Sequence, residues 1–196
     1  MTFFGKSLFG SYNNDKEFNH VFFIPHFMID FHLYLITDRK LCKKPFLEVI
    51  ESACRAGVKA IQLREKDLNS KDLLELAFKV RKITSKYNAK LFINDRIDIA
   101  KIVNADGLQI PENGLPVEAV KKILPDKLIG VSCHSLEKAL LAEKEGADFV
   151  VFGSVFKGKL GFEAQGIERL KLICEKVKIP VFAVGGVNSG NAKLCF

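Results

Sequence analysis

The sequence predicts an α/β protein of the (β/α)8 TIM-barrel class, and three observations carry that prediction. From Leu33 onward, short apolar or β-branched runs alternate with longer amphipathic segments. The short runs are almost continuously apolar, as strands are when a parallel sheet is covered by helices. Polar residues gather at the C-terminal ends of nearly every run, and a barrel assembles its site on that face. This last observation favours a closed barrel over a doubly wound open sheet, which shares the same alternation.

The strand candidates in order are 33–37 (LYLIT), 58–64, 90–94, 106–110, 128–132, 148–153 and 179–184. Between them, 45–56, 71–87, 117–124, 136–145 and 167–176 carry apolar residues at helical spacing; Leu73, Leu76, Ala77, Val80 and Ile83 form one such stripe. Gly57 and Gly146 stand where helix C-caps belong. The sequence PVFAVGGVNSGNAKLCF, 180–196, follows the seventh strand and offers no eighth. A barrel truncated before strand 8 is therefore expected, shorter than the roughly 200 residues at which such barrels begin. Its seam would lie open between the seventh and first strands, and 18–27 (FNHVFFIPHF) is apolar enough to cover part of it. The domain reading is 1–32 as an N-terminal extension of unknown role and 33–196 as the barrel.

Composition narrows the function. With 48% hydrophobic residues in 196, the chain has enough apolar surface for a sizeable core. The net charge of +7 raises the question of nucleic acid, but no basic run is interleaved with aromatic residues. Solvated helix faces and affinity for small anions fit better. No apolar run is long enough for a membrane span, and charged and polar residues interrupt the N-terminal apolar stretch, so no signal peptide is read there. Cys42, Cys54, Cys133, Cys174 and Cys195 form no CxxC pair and no ligand spacing with histidine, which suggests free thiols in a cytoplasmic protein.

Alternation along 61–66 turns Gln62, Arg64 and Lys66 to one side, an amide, a planar fork and a point charge suited to a phosphate or diphosphate. The plainer alternative is a strand end in which Glu65 and Asp67 neutralise those cations. Asn94 and Asp95 end the third strand. Asp95 is a candidate magnesium ligand beside a phosphorylated substrate, or one of the two caps the following helix. Gln109 ends the fourth strand. Ser132 and His134 share parity at the end of the fifth, where an imidazole can serve as a base, or Ser135 caps the next helix. Cys133 has the opposite parity and is not expected to act as a nucleophile. Gly153, Gly185 and Gly186 let backbone amides approach a ligand closely, or simply make turns.

Taken together, LYLITDR, AIQLREK, LFINDRIDIA, ADGLQI, IGVSCHS, EGADFVVFGSVF and IPVFAVGGV resemble, in order and spacing, the thiamine phosphate synthase/TenI family of barrels. The resemblance implies a thiamine-pathway enzyme with a thiazole phosphate as ligand, with or without a pyrimidine diphosphate. Synthases of that family join the two, using Gln62, Arg64, Lys66, Asn94 and Asp95 as matched here, and a magnesium ion on two aspartates. Where the second aspartate is expected this chain has Gly114, within DGLQIPENGLP; the TxTK segment is replaced by FKGKLGFEAQG, in which Lys157 or Lys159 is a candidate substitute. Both departures lean toward TenI-like thiazole tautomerases, which need no metal, and there His134 would carry the proton. The tautomerase is therefore ranked first, the synthase with Mg2+ second, and an inactive phosphate-binding barrel or truncated remnant third. A homodimer is an open assembly.

Overall fold

The computed structural model describes residues 5–6, 29–156 and 163–196. Among the described residues eight strands form one sheet: β1 (Gly5–Lys6), β2 (Tyr34–Ile36), β3 (Ala60–Leu63), β4 (Lys90–Asn94), β5 (Gly107–Ile110), β6 (Leu128–Cys133), β7 (Phe149–Gly153) and β8 (Val181–Val184). From β2 to β8 each strand lies parallel to the next in chain order, while β1 pairs antiparallel with the outer edge of β8, in the order β1-β8-β7-β6-β5-β4-β3-β2. This is a TIM-barrel-like arrangement of seven parallel strands, nearly closed. No pairing joins β1 to β2 among the described residues, and the stretch 18–27, expected over the seam, lies outside them.

Helices α1 (Phe46–Arg55), α2 (Ser70–Lys86), α3 (Ile97–Ile102), α4 (Val117–Ile123), α5 (Leu136–Lys144) and α6 (Ile167–Lys176) separate the strands. Their ends follow the local chemistry. Gly57 and Gly146 take φ of 97° and 91°, the left-handed region that glycine enters without a Cβ penalty, just past α1 and α5. Asn69 and Ser135 accept the N–H of Asp72 and Lys138 as N-caps of α2 and α5.

Apolar residues bury themselves in two places, as period-two strands require. Ile61, Leu63, Leu91, Ile93 and Val150 face the helices. Tyr34, Ala60, Phe92, Phe149 and Phe182 fill the barrel interior, and Phe31, from the stretch ahead of the first strand, is 3% exposed among them. The rings of Phe31, Tyr34, Phe92, Phe149 and Phe182 touch mostly edge-on, with Phe31 stacked on Phe182, and form a plug of centroids 5.1–6.0 Å apart. Two glycines make room for it. A Cβ on Gly107 would overlap the Phe92 ring, and one on Gly130 the Phe149 ring, each on the neighbouring strand. Among the described residues no helix is long and apolar enough to cross a membrane.

Candidate active site

The expected parity holds for Gln62; β3 ends at Leu63, and Arg64 and Lys66 follow it, Lys66 in a turn. Gln62 points into the barrel and is 1% exposed, Arg64 is half-buried and Lys66 exposed, while Ile61 and Leu63 pack toward the helices. The acidic neighbours do not pair with these cations. Glu65, itself buried, accepts from Thr37 Oγ1 at 2.7 Å, the Arg39 N–H at 3.1 Å and Arg39 Nη1 at 3.0 Å. Asp67 takes the Arg39 fork at 2.5 and 2.7 Å and Lys40 Nζ at 2.9 Å. Among the described residues, the side chains of Arg64 and Lys66 have no hydrogen bond or ion pair; only the Arg64 backbone N–H is engaged, donating to Thr37 Oγ1 at 2.9 Å. Two uncompensated cations at one strand end are a ready anion site. A cavity of about 270 Å3 adjoins Lys66 and is lined also by Leu63, Glu65, Asn94, Asp95 and Arg96.

Above the aromatic plug lies a polar relay. Gln62 Nε2 donates to Tyr34 Oη at 3.3 Å, Tyr34 Oη donates to Gln109 Oε1 at 3.3 Å, and Gln109 Nε2 donates to Ser132 Oγ at 3.1 Å. Complete burial pushes the Tyr34 hydroxyl well above the usual phenol range, a shift its hydrogen bond from Gln62 only partly offsets, so it stays neutral. Its one proton goes to Gln109, and Ser132, already accepting, has its own proton left for a ligand. Gln62, Gln109 and Ser132 were legible in the sequence. Tyr34 was not, because within LYLIT a tyrosine looks like core; its interior parity with Ile36 is the only signal.

At the end of β4, Asp95 is exposed at φ 61° and its N–H donates to Gln109 O at 2.9 Å. Neither Asn94 nor Asp95 caps α3. Arg96 occupies the N-cap position without a side-chain bond and spends its fork on Asp98 at 2.9 and 2.5 Å. The Asp95 carboxylate is thus left without a hydrogen bond among the described residues. No group of three or more His, Cys, Asp or Glu that could hold a metal ion occurs among them, so a divalent ion would rest on Asp95 and on oxygens that the substrate brings.

His134 is exposed at the end of β6 and is gripped by Glu112, whose Oε2 accepts the His134 backbone N–H at 2.6 Å and lies 2.9 Å from Nδ1. A carboxylate only accepts, so Nδ1 carries its proton toward Glu112 and Nε2 is the nitrogen left to accept on the exposed ring. Gln165 Nε2 donates to His134 O at 2.8 Å. Sequence reasoning missed Glu112 and Gln165, which lie in loops and gain meaning only through the fold. Cys133 is buried toward the helices, and burial pushes its thiol up to about 12, in keeping with its parity.

Gly185 and Gly186 sit at φ 90° and 69°, past β8. A Cβ on Gly185 would overlap Ser154 Oγ, and one on Gly153 the Val184 carbonyl oxygen, so at both positions the neighbouring strand end accounts for the glycine. The loops after β7 and β8 are tied by Phe156 N–H to Gly185 O at 2.9 Å, and Asn188 and Asn191 both donate to Gly186 O. Helix α6 opens nearby behind Gly166 at φ 84°. Lys157 and Lys159 lie outside the described residues.

Cations without partners, an unpaired carboxylate and an imidazole held by a carboxylate, all following strands of a parallel β/α barrel, are groups suited to small anionic ligands. The family model described as thiamine monophosphate synthase matches residues 33–196, and the chain belongs to that family. Thiamine-phosphate synthase of Caldanaerobacter subterraneus subsp. tengcongensis is 51% identical over 168 residues, 84% of this chain and 78% of that one. The Pyrococcus furiosus thiamine-phosphate synthase is 45% identical over 163 residues, covering 82% and 78%. A solved thiamine phosphate pyrophosphorylase from Pyrococcus furiosus superposes with a TM-score of 0.76 at 43% identity, covering 83% of this chain and 78% of that chain. These relatives carry synthase names, so the comparisons favour the reading that the sequence ranked second over the tautomerase that it ranked first.

Proposed function

We propose that this protein is a thiamine-phosphate synthase, joining hydroxymethylpyrimidine diphosphate to thiazole phosphate with release of diphosphate. One observation carries the reading: Arg64 and Lys66 stand uncompensated at the end of β3 because Glu65 and Asp67 are bound elsewhere. The reaction breaks a carbon–oxygen bond and forms a carbon–nitrogen bond, so negative charge grows on the departing diphosphate. Arg64 and Lys66 stabilise that charge in the transition state more than in the bound substrate, and this lowers the barrier. Gln62 and Ser132, held by the buried relay, supply directed hydrogen bonds that orient a ring in the mouth. The second phosphate is assigned to the Gly185-Gly186 turn and the first turn of α6, since backbone N–H groups at a glycine turn and a helix start favour an anion. A magnesium ion entering with the diphosphate would be held by Asp95 and would neutralise part of its charge; Gly114 adds no carboxylate and Glu112 is turned to His134.

The test supplies both substrates and magnesium to purified protein and follows thiamine phosphate. Formation is expected, with Arg64→Ala lowering kcat/KM by about a hundredfold. If instead no product appears while the carboxylated thiazole phosphate is isomerised, the synthase reading fails. The His134 and Glu112 pair is the observation that keeps proton transfer as the second reading.

A further inference from the structure

Arg64, Glu65, Lys66 and Asp67 are consecutive, two cations alternating with two carboxylates. Left alone, such a run neutralises itself, and any anionic ligand must compete with carboxylates tethered one residue away. The loop after β2 prevents that. Arg39 spreads its fork over both acids, with Nη1 3.0 Å from Glu65 Oε2 and 2.5 Å from Asp67 Oδ1, and Nη2 2.7 Å from Asp67 Oδ2. Lys40 Nζ joins Arg39 Nη2 on Asp67 Oδ2, at 2.9 Å. Thr37 completes the clamp, donating to Glu65 at 2.7 Å while accepting the Arg64 N–H at 2.9 Å, which fixes the backbone from which the cations project. A planar fork bridges two carboxylates where a lysine would reach one. The hydrogen bond from Arg39, then that from Lys40, holds Asp67 well below the usual carboxylate range. Once released, Asp67 would still be an anion at neutral pH.

We propose that Arg39 is a positioning residue of the anion site: by sequestering Glu65 and Asp67 it leaves Arg64 and Lys66 free for the diphosphate. The ligand's identity rests on the synthase reading. Arg39 acts through its neighbours, and its part is removal of internal competitors.

The experiment titrates inorganic diphosphate into the full chain by calorimetry at fixed ionic strength. Arg39→Gln is expected to weaken binding roughly three- to fivefold, the upper scale of one solvent-exposed charge pair gained by the competitor. The double variant Arg39→Gln with Asp67→Asn removes that competitor and is expected to bind within about twofold of the unaltered protein. A charge-matched control, Arg39→Gln with Glu75→Gln on the exposed face of α2, leaves Asp67 in place and is expected to stay weak. Arg39→Lys keeps the charge and loses the fork, so it serves if the glutamine variant does not fold, with intermediate weakening expected. Unchanged binding in Arg39→Gln or Arg39→Lys overturns the proposal. So does equal recovery in both double variants, since net charge would then explain it. Absence of thiamine phosphate with these titrations as expected would overturn the function and leave the clamp standing.

Discussion

Tyr34 and Gln109, 75 residues apart in sequence, meet inside the barrel with the tyrosine hydroxyl 3.3 Å from Gln109 Oε1. That contact makes one polar layer out of Gln62, Tyr34, Gln109 and Ser132 above a floor of aromatic rings. Replacing Tyr34 by Phe would leave the Gln62 amide and the Gln109 carbonyl buried without partners, at an expected cost of about 1–3 kcal/mol. Urea unfolding measures it. Adding Gln62→Leu removes the orphaned donor, whose bond was to Tyr34, and should return part of the loss; a further fall in stability would show that the relay is not the cause.

Glu112 holds His134 twice, by backbone and by ring. Glu112→Gln keeps an oxygen for the backbone N–H, whereas Glu112→Ala removes both contacts. If an oriented imidazole matters to turnover, the alanine variant should lose about three- to tenfold more kcat/KM than the glutamine variant, the worth of the neutral hydrogen bond that the amide oxygen still accepts. Equal rates in the two would remove the orientation from the mechanism.

Acid stability should report the arginine clamps. Arg39, then Lys40, lowers the titration of Asp67, and Arg96 lowers that of Asp98, each chiefly by a hydrogen bond. A carboxylate whose folded pKa lies below its unfolded value adds stability above the unfolded value, and that stability is lost as pH falls through the folded one. The Tm of Asp67→Asn should therefore sit below that of the unaltered protein by a constant interval above about pH 5, and the interval should shrink below about pH 4. Thermal scans at stepped pH decide it; an interval that widens in acid would contradict the sign.

Gly185 combines φ 90° with a neighbour where a Cβ would go. Gly185→Ala is expected to cost about 1–3 kcal/mol from backbone strain alone, with crowding added. Ser154→Gly should not rescue it, because the Ser154 Cα itself lies 2.6 Å from where the new Cβ would stand. Full rescue would show that only the hydroxyl stands in the way.

Period-two alternation was enough to orient Gln62, Gln109 and Ser132, because side-chain direction in a strand is fixed by the backbone. Helix ends were legible at Gly57, Gly146 and Ser135 for a similarly local reason, the φ or the cap that the residue type supplies. The loops were less legible. Residue type alone allows Asp95 to cap a helix, yet α3 begins after Arg96, and the turn puts Asp95 in the left-handed region with its carboxylate outward. A glycine at 153 suggests ligand approach, yet the Val184 carbonyl occupies its Cβ position. Gly107 and Gly130 carried no signal until Phe92 and Phe149 arrived beside them from the next strand.

By itself the sequence determined the order of the seven parallel strands, and it named Gln62, Arg64 and Lys66 as candidates for an anion site. Each follows from periodicity or residue chemistry within a few positions. Only the tertiary structure decided which charges remain available. Glu65 and Asp67 are nearer in sequence to Arg64 and Lys66 than Arg39 is, yet Arg39 takes them, because parallel pairing of β2 with β3 brings the two loops together. Sequence proximity offers partners, and the register of the sheet chooses among them.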